Sequence, residues 1–177
     1  METNWIDKIE VAQRQIVGAV GLFFEERDPI VIHAVVASAH QILVDLGKLK
    51  DVTSSVKGPS IAASKDQGSQ LNYPYNFFKH ADRDPESKIN VGPLGDFTRE
   101  FIMDAILMLQ RLTGDIPFEA KVFWTWFVSK NPQDFENCGE EIKRMQEQKI
   151  GDWDFPTICH FLQFRNIAKS AIVGNKV

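Results

Sequence analysis

Cysteine is scarce in this chain of 177 residues. There are two, Cys138 and Cys159, and neither belongs to a C-x-x-C pair. That excludes a readable zinc framework and a disulfide scaffold. Excess positive charge is also missing. Twenty basic residues face 24 acidic ones, for a formal charge of −4, which argues against a protein that coats nucleic acid through bulk charge. No repeat, heptad run or low-complexity tract is present, so solenoids and long coiled coils are excluded. The start, Met1 to Asp7, lacks the basic end and apolar run of a secretory signal. The apolar stretch from Pro29 to Leu46 is short for a membrane span and carries His33, His40, Gln41 and Asp45. The expectation is a cytoplasmic protein with no membrane partner.

What is present is a large apolar inventory: 44% hydrophobic residues, with thirteen Phe, four Trp and two Tyr. A chain of this length and composition buries a sizeable core as one domain over residues 1–177. Ile6, Ile9, Gln13, Ile16, Val20 and Phe23 follow the 3.6-residue period of an amphipathic helix. Gly18 and Gly21 either weaken it or admit another backbone. Asp28-Pro29 is a cap followed by a favoured first helical residue, opening a helix to about Leu46 that suits the centre of a bundle.

Residues 51–70, rich in Ser, Gly and Ala, read as a long loop. Pro74 opens a short helix that ends before Asp84-Pro85. Asp96 is positioned to cap a helix reaching about Thr113, which Gly114 ends. Further helices are expected over Phe118 to Lys130, over Gln133 to Gln148 as an exposed helix, and over Thr157 to Val173. The fold class is therefore all-α, an antiparallel bundle of six or seven helices.

His33 and His40 are seven residues apart, on one helix face and about 10 Å apart along it. They cannot share one metal ion directly unless the helix bends, and H-x-x-x-H and H-E-x-x-H are absent. Two readings stand: core histidines bonded to a carbonyl or a side chain, or a metal site. The metal site would combine His33 or His40 with His80 and Asp84, with Asp82, Glu26 or Asp104 as further carboxylates. No cofactor is specified by the sequence.

Asn76 to Asp84 is the richest segment: an amide, a lysine, a histidine, an arginine and two carboxylates beside Phe77 and Phe78. On a helix, Asn76 and His80 share a face, as do Lys79 and Arg83. His80 can serve as a general base near neutral pH. Lys79 and Arg83 can hold a phosphate or carboxylate. The ordinary alternative is a charged helix end.

The run Tyr73-x-Tyr75-Asn76-Phe77-Phe78-Lys79-His80-Ala81-Asp82-Arg83-Asp84-Pro85 resembles the signature of a family of small, uncharacterised bacterial α-helical proteins. So do His33-Ala34 and Ala39-His40-Gln41-Ile42-Leu43 in the preceding helix. The resemblance covers residues 20 to 90, roughly, and brings no assigned activity. More distantly, Asn76-x-x-x-His80 resembles the motif of HEPN domains, which reads Arg, a polar residue, three free positions, then His. Tyr75 stands at the arginine position, so Lys79 or Arg83 would take its part. A second partial match is Arg165-Asn166, with Ser170 in the histidine place. The HEPN resemblance implies a dimeric helical bundle and metal-independent RNA cleavage, with catalytic residues His80, Asn76, Lys79 and Arg83.

Ten aromatics lie in residues 118–177. Consecutive aromatics on one helix cannot all face one core. Some are expected to meet a partner, with a homodimer the commonest solution. The sequence thus favours an interaction or regulatory module with a polar site at Asn76–Asp84. RNA or a small phosphate-bearing ligand is the candidate partner besides a second copy.

Overall fold

A computed structural model describes residues 5–56, 73–80, 82, 84–136 and 138–174, with backbone alone after 165. Among the described residues all regular structure is helical, with seven α-helices and two 3-10 turns and no strand. The protein is an all-α helical bundle.

Helix α1 spans Lys8–Phe24. Asp7 begins it by accepting the Glu10 amide at 2.7 Å, which satisfies one of the free donors of the first turn. Ala12, Ile16, Ala19, Val20 and Phe24 turn inward at steps of three and four. Burying Ile16, Val20 and Phe24 stabilises the fold by ~1.5–3 kcal/mol each. A Cβ on Gly18 or Gly21 would meet nothing within 4 Å, so these glycines do not admit a neighbouring backbone.

Helix α2, Pro29–Gly47, starts as expected, with Asp28 Oδ1 accepting the Ile30 amide at 2.8 Å. It is long and apolar enough to cross a membrane by length and composition. Here it packs against α1 on one side and the fourth helix on the other. Gln15 Nε2 donates to Ser38 Oγ at 3.1 Å and ties α1 to α2.

Helix α3 is the short piece 73–79. Helix α4, Leu94–Thr113, shares the centre of the bundle with α2 and buries eleven residues, among them Phe101, Ile106, Met108 and Leu109. The expected Asp96 cap is not observed. The helix begins two residues earlier, at Leu94 after Pro93, and makes no side-chain cap bond, while Asp96 sits in the first turn. An acidic side chain there still faces the positive helix end. Gly114 ends α4 in the left-handed region at φ 80°, a conformation open to glycine at little cost.

Helix α5, Phe118–Lys130, inserts Phe123, Trp126 and Phe127 into the core. The expected long helix over Gln133–Gln148 is replaced by a 3-10 turn at Pro132–Phe135 and a short helix α6, Glu140–Glu147. Gly139 and Pro132 punctuate this stretch, and α6 has no buried residue to hold a longer helix in place. A second 3-10 turn, Ile150–Asp152, leads to helix α7, Phe155–Gly174. Asp154 caps α7 by accepting the Thr157 amide at 2.8 Å.

Two aromatic clusters organise the bundle. Phe23, Phe24, Phe123, Trp126 and Phe155 join α1, α5 and α7, with ring centroids 5.2–6.0 Å apart. His33, Phe97 and Phe101 join α2 to α4. The second cluster is the floor on which α3 rests.

Candidate functional site

Phe78 fixes α3 to that floor. Its ring stands edge-on to the buried His33 ring, centroids 6.1 Å apart. Phe77 touches Phe78 at 6.2 Å and Tyr73 at 5.9 Å. With Phe78 packed inward, α3 leaves Asn76 and Lys79 exposed. Tyr73, Asn76, Phe77, His80 and Asp84 line a cleft of about 140 Å³. Drug-sized pockets start at ~300 Å³, so this space has room for one small planar group only. The His80 amide donates to the Asn76 carbonyl at 3.1 Å, which places both side chains on one face. His80 is 39% exposed, and its Nδ1 lies 3.9 Å from Asp82 Oδ1. That is too long for a hydrogen bond. Lys79 Nζ sits 3.8 Å over the Tyr75 ring, a cation–π contact on the cleft's helix. Arg83, the other expected anion-holding residue, lies outside the described residues, as does most of the expected 51–70 loop.

His33 and His40 are core residues. The Thr98 hydroxyl donates to the Leu94 carbonyl at 2.6 Å, so it must accept from His33 Nδ1 at 3.1 Å. His40 lies against Asp104, Nε2 to Oδ2, at 2.6 Å. Ser54 Oγ donates to the same Oδ2 at 2.6 Å, and the Ser55 amide donates to Oδ1 at 2.8 Å. Burial pushes the Asp104 pKa up, but the bonds from His40, Ser54 and Ser55 and the charge of His40 outweigh it. The net value lies below the ordinary one.

The types Ser, His and Asp are those of a nucleophilic triad, but the geometry is not. In a triad the imidazole stands between the hydroxyl and the carboxylate, bonded through opposite ring nitrogens. Here Ser54 and His40 both bond one carboxylate oxygen, and the serine proton is already engaged there. The buried group is a clamp. It pins residues 53–55 to α4, with help from Arg111, whose Nη1 donates to the Thr53 carbonyl at 3.2 Å.

The expected metal set of His33, His40, His80 and Asp84 is not brought together. Among the described residues no three His, Cys, Asp or Glu side chains converge to hold a metal ion. Ser54 and Thr98, which complete the two buried histidine sites, were not among the expected site residues. Both are small hydroxyl residues with no distinguishing local pattern, and only the tertiary fold brings them to a histidine.

Comparison with known proteins returns no match: no family model, no curated protein and no solved structure corresponds to this chain.

Proposed function

We propose that this chain is a helical recognition module whose ligand-contacting surface is the α3 cleft. The observation that carries the reading is the cleft's composition. Two aromatic rings, an amide, an imidazole and a carboxylate surround one small space on a helix anchored by Phe78. Tyr73 and Phe77 offer a face for a planar group, and Asn76 offers both a donor and an acceptor to its edge. A nucleobase or a phosphate-bearing small molecule fits this chemistry. Titration of labelled protein with nucleoside monophosphates, inorganic phosphate and a short single-stranded RNA tests it by NMR. Shifts confined to Asn76, Phe77 and His80, and lost in Asn76→Ala, support the reading. No shift with any probe overturns it.

A second reading, metal-independent RNA cleavage, is favoured by one specific feature. Asn76 and His80 stand one helical turn apart on the same cleft, in the spacing that resembles a HEPN motif. In this reading His80 takes the proton of an RNA 2′-hydroxyl as its oxygen attacks the adjacent phosphorus; the P–O5′ bond breaks, leaving a 2′,3′-cyclic phosphate and a 5′-oxygen that takes a proton from water. RNA cleavage that survives chelator and disappears in His80→Ala supports it. Equal cleavage by wild type and His80→Ala overturns it.

A further inference from the structure

Trp153 just before α7, and Phe161 and Phe164 on it, are three large exposed rings. Phe164 is 74% exposed, Phe161 38% and Trp153 37%. Trp153 and Phe161 meet edge to face at 5.6 Å, and Phe161 meets Phe118 at 5.5 Å. Arg165 also reaches Phe118, with its guanidinium 3.5 Å from the centre of that ring. At ~200 Å² per ring, the three leave about 300 Å² of aromatic surface in water. Patches of this size on monomers are commonly functional. Trp, Phe and Arg are also the residue types enriched in the cores of protein interfaces.

We propose that this face is where a second copy of the chain docks, α7 against α7 in an antiparallel two-fold pair. The charge pattern selects this occupant. Asp152 and Asp154 stand at the start of α7, and Arg165 stands eleven residues after Asp154, about 16 Å along the helix. A copy rotated by 180° lays its Arg165 at the acidic end of the first, and the symmetry repeats the contact. Self-complementarity of this kind is what a two-fold interface requires. The rings then fall at the centre and the charges at the rim, the usual anatomy of an interface. A standard interface covers ~800 Å² on each partner. The exposed rings provide its apolar centre, and the exposed residues Pro156, Thr157, His160 and Gln163 of α7 extend it. An anionic membrane is the poorer occupant, because the acidic end of α7 would face lipid headgroups of the same sign.

Analytical ultracentrifugation of the full chain tests the proposal. The chain is expected to dimerise at micromolar concentration, and Phe164→Asp to be monomeric with an unchanged helical circular dichroism spectrum. Because Phe164 is mostly exposed, its replacement leaves the fold intact. Arg165→Glu is expected to weaken the dimer at least tenfold, and Arg165→Glu combined with Asp152→Lys, which leaves the Asp154 cap in place, to restore it. A chain that stays monomeric overturns the proposal, as does a dimer indifferent to Phe164→Asp. A dimer sensitive to Phe164→Asp that the charge swap does not restore, with the swapped chain still folded, overturns the antiparallel pairing. A monomer that binds phosphatidylglycerol vesicles through Phe164 assigns the face to lipid instead.

Discussion

His40 and Asp104 are 64 residues apart in the chain and 2.6 Å apart in the fold, and neither side chain is more than 2% exposed. This contact joins the two central helices α2 and α4. Through Ser54 and Ser55 it also joins them to the segment that leaves α2. Asp104 accepts three hydrogen bonds there, and its loss takes the carboxylate away from two buried donors, His40 and Ser54. Asp104→Ala is expected to lower stability by ~3–5 kcal/mol, the usual cost of breaking a buried charged pair. Domains hold only ~5–15 kcal/mol in all, so the variant should be close to unfolding. Denaturant titration followed by circular dichroism measures the change. A loss under ~1 kcal/mol would show that the clamp is not a main support of the fold.

Two carboxyl groups on α4 give opposite pH responses. The folded-state pKa of Asp104 is lowered, so the folded protein holds that proton less tightly than the unfolded chain does. The stability it supplies is fully present above the ordinary Asp value and is lost as pH falls through the lowered folded value. Glu100 is shifted the other way. Burial pushes it up, Arg99 opposes, and Asp134 and Asp96 add to the rise. Its ionised form therefore reduces stability at neutral pH, and the reduction is relieved as pH falls through the raised value. Its side chain is half exposed, which keeps the effect small. Stability measured against pH should lose much of its acid slope in Asp104→Asn. Glu100→Gln should raise stability slightly near pH 7 and change little in acid. An unchanged acid limb in Asp104→Asn would refute the assignment.

Gly47 ends α2 where the chain turns back onto it. A Cβ at this position would overlap the Val52 carbonyl oxygen and crowd the Met108 methyl at 3.2 Å. The carbonyl belongs to backbone pinned by the clamp two residues further on, so it cannot move aside cheaply. Gly47→Ala is expected to cost about 1–3 kcal/mol, although alanine is ordinarily the better helix former. Thermal unfolding checks this, and a Tm at or above that of the wild type would sink it.

The helices were legible where local chemistry decides them. Asp28-Pro29 and Gly114 each mark a boundary through capping or backbone geometry that needs no tertiary partner. The Gln133–Gln148 expectation failed because charged residues of good helix propensity do not form a long helix without an apolar face to bury. His33 and His40 were legible as a pair on one face but not in their roles. Asp104 showed only as a carboxylate at the edge of an apolar stripe, and Ser54 lay within what reads as loop. The partners that decide between a core histidine and a metal ligand come from α4 and from residues 53–55, which no local spacing reveals. The α3 cleft was more visible, because its residues lie within twelve positions and helical spacing alone puts Asn76 and His80 on one face.

The two kinds of histidine can be separated by one set of measurements. His80 is 39% exposed and lies 3.9 Å from Asp82, whereas His33 is fully buried among Phe78, Phe97 and Phe101 and bonded to Thr98. His80→Ala and Asn76→Ala are therefore expected to leave stability within ~0.5 kcal/mol of wild type, as exposed substitutions do. His33→Ala is expected to cost ~2–4 kcal/mol, since it opens a cavity and strands the floor under α3. Ligand response should follow a different order. His80→Ala removes a cleft group and should weaken binding in a folded protein, while His33→Ala should weaken binding only as far as it loosens α3. Paired melting curves and NMR titrations of the three variants give both quantities. A His80→Ala protein that binds every probe as wild type does would move the functional surface away from α3.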